Sequence, residues 1–116
     1  MDLFFQAALL LDFYGDLLTD RQKLAYGMYY NEDFSLREIA ENLSITRQGA
    51  RDLIKRAGVV MDGYEIKLKL VERYERHARM ADEIINILES VSANEDVENQ
   101  NKINDAITKI RQLNEV

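Results

Sequence analysis

The stretch SLREIAENLSITRQGARDLIKRA, residues 35–57, decides the fold of this chain. Ser35 followed by Glu38 has the spacing of a capping box, in which each side chain accepts a backbone N–H at the start of a helix. Thr46 is a second residue of the type that caps helix N-termini. A three-residue turn at 43–45 separates the two starts, so the stretch predicts a helix-turn-helix.

The apolar residues of this stretch fit two short helices packed across one another. The first helix is expected to end near Asn42, and the second to run from Arg47 to about Ala57, where Gly58 ends it. Small or branched apolar side chains are then available for the side that faces the core. These are Ile39, Ala40, Leu43, Ile45, Ala50 and Ile54.

The opposite face of the second helix is polar and mostly basic, with Asp52 as an interruption. Arginine and glutamine side chains suit base edges in the major groove, and lysine suits phosphate. The capping threonine and the open N–H groups of a first helical turn can also meet a phosphate. The candidate nucleic-acid-binding residues are therefore Thr46, Arg47, Gln48, Arg51 and Lys55.

Composition points to an all-α protein. The 116 residues are 47% apolar and include no proline and five glycines, which favours long uninterrupted helices around one core. The net charge is −6, from 15 basic and 21 acidic residues. Because phosphate neutralisation supplies most nucleic-acid affinity, any such binding must come from a local basic patch.

Two further helices are expected before this stretch. Residues 3–14 are apolar on nearly every side, which predicts a helix buried in its own core or against a second copy. A capping box at Thr19 and Gln22 opens the next helix, which should run to about Tyr30.

Two helices are also expected after residues 35–57. Residues 59–61 form a connector, a long helix follows over 64–91, and a last helix covers 97–113. Apolar residues in both helices recur in steps of three and four, so these seams can pack on each other or on a second chain. Two parts result: a helical domain with the helix-turn-helix, residues 1–60, and the long helix with the C-terminal helix, residues 61–116.

Several functional classes are disfavoured. The chain has no cysteine and its one histidine is His77, so thiolate and histidine-cluster metal sites are excluded and no cofactor is expected. The carboxylates of residues 72–83 are interleaved with arginines, as on a solvated face, and no catalytic triad or phosphate-binding glycine loop is visible. The apolar N-terminus has Asp2 where a signal peptide carries a basic residue, and it is shorter than the ~20 residues that span a bilayer. We expect a non-enzymatic, cytoplasmic protein without membrane insertion.

The aromatic residues have two interpretations. They can form a stacking platform for single-stranded RNA, or they can be core and dimer interface; their helical periodicity favours the second. Because the first helix has more apolar surface than one small domain can hide, we expect a homodimer. The residues are Phe4, Phe5, Phe13, Tyr14, Tyr26, Tyr29, Tyr30 and Phe34.

Residues 18–57 resemble the C-terminal promoter-reading domain of bacterial sigma factors, with Leu-Thr-Asp-Arg-Gln opening one helix and Ser-Leu-Arg-Glu-Ile-Ala-Glu-Asn-Leu-Ser-Ile-Thr-Arg-Gln following. Residues 11–19, Tyr29-Tyr30 and 35–56 resemble more closely the YlxM family. These are small bacterial helix-turn-helix proteins encoded beside signal recognition particle components. The resemblance covers about residues 9–75 and implies a sigma-like helical fold and a regulatory role linked to the signal recognition particle pathway.

Two functions remain open at this point. One is a DNA-binding regulator that uses the basic face of the second helix, with two copies presenting paired recognition helices. The alternative is a non-enzymatic adaptor that binds a signal recognition particle protein or RNA without recognising an operator. Salt-dependent binding to duplex DNA, lost when Arg47 and Arg51 become alanine, separates the first from the second.

Overall fold

A computed structural model describes residues 3–113, and within this range the chain is helical with no strand. The prediction of an all-α fold is confirmed. The elements are α1 (Leu3–Tyr14), a 3-10 turn (Gly15–Leu17), α2 (Asp20–Tyr30), α3 (Leu36–Leu43), α4 (Arg47–Leu68), α5 (Leu70–Ser92) and α6 (Val97–Leu113).

The chain divides into two compact units, the first ending at Val71 and the second beginning at Glu72. In the first unit α4 contacts α1, α2 and α3. Small residues occupy the buried face of α4 at Ala50 and Ala57, and Ala40 is buried on α3. Since small side chains let helix backbones approach closely, they allow the packing that a helix-turn-helix requires.

The two predicted capping boxes are confirmed, whereas the helix predicted to start at Tyr64 starts at Leu70. The Thr19 hydroxyl accepts the N–H of Gln22 at 3.2 Å, and the Gln22 side chain accepts the N–H of Thr19 at 3.0 Å. Ser35 and Glu38 form the same reciprocal pair, with both distances at 3.1 Å. These bonds satisfy N–H groups that a helix leaves open at its first turn, so each start is fixed by neighbouring residues alone.

The prediction that Gly58 ends the second helix is wrong. Helix α4 continues through residues 59–61, which were expected to be a connector, and runs on to Leu68. Met61 is fully buried, and no glycine of the chain has a positive φ. A Cβ at position 58 would lie 3.9 Å from the Tyr26 ring, so the glycine lies against a packed helix rather than at a helix end. The predicted division between residues 60 and 61 falls inside this helix.

The long helix expected over 64–91 is interrupted at Lys69, which adopts the left-handed conformation with φ 55°. The Tyr14 hydroxyl donates to Glu65 Oε1 at 2.6 Å and accepts the N–H of Leu70 at 3.2 Å. The same carboxylate oxygen accepts the N–H of Val71 at 3.0 Å. These bonds hold the first N–H groups of α5, so the two helices are joined at a fixed break without proline or glycine.

The second unit consists of most of α5 together with α6. The start of α6 matches the predicted range 97–113, and the helix extends to Leu113, the last described residue. Arg111 Nη2 lies 3.7 Å from Glu89 Oε1, and the Gln100 side-chain amide donates to the carbonyl of Ser92 at 3.0 Å. Only Ile85 and Ile107 are buried apolar residues among its described residues. This unit therefore has a small core of its own.

Candidate nucleic-acid interface

The turn between α3 and α4 sets the position of the candidate reading helix. Ser44 adopts the left-handed conformation with φ 55°, and the N–H of Ile45 donates to the carbonyl of Ala40 at 3.0 Å. The Thr46 hydroxyl then accepts the N–H of Gly49 at 2.9 Å and begins α4. Thr46 is thus the N-cap residue of α4. A phosphate contact by its side chain would involve the same hydroxyl that caps the helix.

The other four predicted site residues lie together on the solvent face of α4. Arg47, Arg51 and Lys55 are spaced by four residues and follow one strip along the helix, with Gln48 beside them. All four are exposed. The residues that face the core from the same helix turns are Ala50 and Ile54, which are buried. The structure therefore brings the predicted residues together on one accessible surface.

This surface is locally basic although the chain is acidic. Between residues 47 and 56 there are four basic side chains and one acidic side chain, Asp52. The Gln48 amide donates to Asp52 Oδ1 at 3.1 Å, so the one acidic side chain is hydrogen-bonded within the surface but keeps its charge. The arrangement supplies the local patch that an acidic nucleic-acid-binding protein needs, with Arg47 and Arg51 as its foremost charges.

One feature of this surface was missed by sequence reasoning. An open groove of about 650 Å³ lies beside the basic strip, and Arg51 and Lys55 form part of its wall. Aromatic and aliphatic residues of α1 and α2 form the other wall, including Leu10, Tyr29 and Tyr30. Helical periodicity cannot reveal such a groove, because its walls come from helices far apart in the sequence.

The aromatic residues divide between core and surface. Tyr14 and Tyr26 are buried, whereas Phe4 and Phe5 of α1 are about half exposed. The rings of Tyr26 and Tyr30 lie 4.6 Å apart between centroids. Burial raises the pKa of Tyr26 to about 12, with the neighbouring Tyr30 and Asp62 as smaller contributions. Tyr14 of α1 and Tyr26 of α2 therefore belong to the core, whereas Phe4 and Phe5 at the start of α1 remain accessible.

The side chains that could ligate a metal are dispersed over the part of the chain that the structure describes. Within residues 3–113 no group of three or more histidine, cysteine or carboxylate side chains could hold a metal ion. His77 is exposed, as are Glu72, Asp82 and Glu83. No helix in the same range combines the length and apolar character needed to cross a membrane.

Comparison with known proteins identifies the family. Residues 4–106 match the family UPF0122, described as "Putative helix-turn-helix protein, YlxM / p13 like". A UPF0122 protein of Acetivibrio thermocellus is 48% identical over 91 residues, which cover 78% of each chain. Another from Desulforamulus reducens is 40% identical over 107 residues, or 92% of each chain. A third from Thermoanaerobacter pseudethanolicus is 41% identical over 114 residues, or 97% of each chain. The chain belongs to this helix-turn-helix family, which is not an enzyme family.

Proposed function

We propose that this helix-turn-helix protein is a cytoplasmic regulator that binds duplex DNA as a homodimer. The first turns of α4 enter the major groove, where Arg47, Gln48 and Arg51 meet base edges and Lys55 meets phosphate. The observation that carries the proposal is the exposed basic strip of α4, held in place by a capped turn and a buried opposite face.

The acidic balance of the chain limits the strength of this binding. Each neutralised phosphate contributes about 0.9 to the slope of log affinity against log salt concentration. The strip offers only Arg47, Arg51, Lys55 and the adjacent Arg56 per subunit. Binding should therefore be modest for one subunit and strongly improved when two subunits engage two half-sites.

The proposal is tested by anisotropy titrations of labelled duplex DNA at several salt concentrations. The variant with Arg47→Ala and Arg51→Ala should bind at least tenfold more weakly, and its salt slope should fall by about two per subunit. A matched control removes the same charge elsewhere, through Lys67→Ala and Arg79→Ala, and should change affinity little. Absence of salt-dependent binding to genomic duplex fragments by the unaltered protein would refute the proposal.

The finer part of the proposal concerns the pathway. The resemblance to proteins encoded beside signal recognition particle components supports a regulatory target among genes of that pathway. Recovering the protein from cells with cross-linked DNA and sequencing the fragments tests this part. Enrichment of those genes is expected, and enrichment of unrelated sites would contradict it.

A second candidate, the adaptor, is favoured by the groove beside the basic strip. Arg51 and Lys55 face an apolar, aromatic-lined groove as well as solvent, a combination suited to a protein segment. In this case Val59→Glu, which places a charge at the groove wall, should abolish co-purification with signal recognition particle components while leaving DNA affinity unchanged. Unchanged co-purification of the Val59→Glu variant with those components would contradict the adaptor.

A further inference from the structure

Helix α5 carries an apolar stripe that its own unit does not cover. Met80, Ile84, Ile87 and Val91 are between 40% and 63% exposed. Their spacing of four, three and four residues places them along one side of the helix, as in the seam of a helix pair. The buried residue of the same helix, Ile85, belongs to a different side. The second unit thus presents two apolar sides on α5, of which one remains open.

The second unit has little else to stabilise it. Its described residues include two buried apolar side chains, Ile85 and Ile107, and a pair of helices gains stability mainly by burying an apolar face. Large exposed apolar patches on small proteins mark interaction sites. Covering the stripe with another helix would complete a bundle of the kind in which four helices share one core.

The stripe has the same spacing of four, three and four residues from either end of α5. Turning α5 end for end therefore superposes Met80 on Val91 and Ile84 on Ile87. We propose that a second copy of this chain covers the stripe, with the two α5 helices antiparallel about a twofold axis between Ile84 and Ile87. Such an interface is isologous, because the same patch serves both subunits.

The charges at the two ends of the stripe favour this direction. Arg76 lies four residues before Met80, and Arg73 lies three residues earlier still. Glu95 and Asp96 follow the end of α5 at Ser92 and accept hydrogen bonds from Asn99 at the start of α6, at 3.0 Å and 2.9 Å. In the antiparallel arrangement the arginines near the start of one α5 approach the acidic turn that follows the other. A parallel arrangement would place like charges together, at a cost to association.

This inference deepens the homodimer of the proposed function by naming its surface. It does not depend on DNA binding, since a dimer formed through α5 can exist whatever α4 contacts. Failure of the DNA titrations would therefore leave it standing, whereas a monomeric chain would remove the homodimer from the proposed function and leave only DNA binding by a single subunit.

The first experiment is sedimentation equilibrium of the full chain from 1 to about 100 µM, a range in which protein dimers commonly dissociate. The Ile84→Glu, Ile87→Glu variant should be monomeric across the range in which the unaltered chain is dimeric. Ile66→Glu introduces the same type of charge at another exposed isoleucine, in α4, and should leave the dimer intact. Phe5→Glu tests the exposed start of α1. A monomeric unaltered chain, or dissociation by Phe5→Glu but not by the α5 changes, overturns the inference.

The second experiment determines whether the two α5 helices are antiparallel or parallel. The chain has no native cysteine, so a disulfide can form only between the introduced cysteines. A chain with both Met80→Cys and Val91→Cys should form a disulfide-linked dimer under mild oxidation. A chain with Met80→Cys alone should not, because the two cysteines would lie about 16 Å apart along antiparallel helices at 1.5 Å per residue. Efficient cross-linking by Met80→Cys alone overturns the antiparallel arrangement. Charge exchange adds a last check: Arg76→Glu should weaken the dimer, and Arg76→Glu with Glu95→Arg should restore it.

Discussion

The two units of this chain differ in how they use their apolar residues. Of the fifteen buried hydrophobic residues described, thirteen lie at or before Val71 and two lie beyond it. The second unit nevertheless exposes six large apolar side chains, four of them on one stripe of α5. The first unit exposes nine large apolar side chains among its described residues, so the two units differ in the size of the buried core rather than in whether apolar surface is exposed.

The largest expected effect on stability comes from replacing one buried isoleucine with alanine in each unit. Ile39 is 0% exposed and Ile107 is 4% exposed, so the two sites differ mainly in the size of the core around them. Ile39→Ala should lower the free energy of unfolding by about 3 kcal/mol, and Ile107→Ala by about half as much, because its thin surroundings can relax. Urea denaturation followed by circular dichroism measures the first effect, and amide hydrogen exchange localises the second to α5 and α6. Equal losses at both sites would remove the distinction between the units.

A smaller loss of stability is expected from a change at the break between α4 and α5, where the first unit ends. Tyr14→Phe removes the hydroxyl that donates to Glu65 and accepts from Leu70, and should cost about 1–2 kcal/mol. Faster hydrogen exchange at residues 70 and 71 should accompany the loss. Tyr64→Phe is the matched control, since Tyr64 stacks on the Tyr14 ring but is itself exposed. A cost as large in the control would show that the loss at Tyr14 does not come from its bonds with Glu65 and Leu70.

The smallest expected effects on stability come from replacing one serine with glycine in each unit. Ser44→Gly should raise stability by up to about 1 kcal/mol, because glycine adopts the left-handed conformation of this turn without strain. Ser90→Gly, inside α5, should lower stability by about 0.5–1 kcal/mol through added backbone freedom. Thermal unfolding of both variants checks the opposite signs. Stabilisation at both positions would mean that α5 is not a regular helix at Ser90.

The parts of the fold that were predictable from sequence are those set by near neighbours. The capping pairs at Ser35 and Thr19 involve residues three apart, and α6 follows its own apolar spacing. The end of α4 was not predictable in this way. Gly58 reads as a helix end by local preference, but packing beside Tyr26 keeps the helix continuous, and the break at Lys69 is fixed by a residue in α1.

The candidate site also has one part that could be predicted from the sequence and one part that could not. Its basic strip lies within three turns of one helix, so periodicity alone places Arg47, Arg51 and Lys55 together. The groove beside them joins α1, α2 and α4, and the pairing of Leu10 and Tyr30 with Lys55 depends on tertiary packing. Sequence analysis could therefore name the charges that a nucleic acid would meet, but not the apolar surface adjoining them.

The bond between Tyr14 and Glu65 also has a consequence for the order of events during synthesis. Its partners are 51 residues apart in the chain, so Tyr14 leaves the ribosome well before Glu65 does. Until then the left-handed conformation of Lys69, which costs about 1–2 kcal/mol, has only local bonds such as that from its N–H to the carbonyl of Glu65 at 2.9 Å. The capping bonds of the helix-turn-helix join residues three apart, whereas the bonds of Tyr14 at the break between α4 and α5 must wait for this distant closure. We therefore expect the candidate reading head to form during synthesis before the break that follows α4.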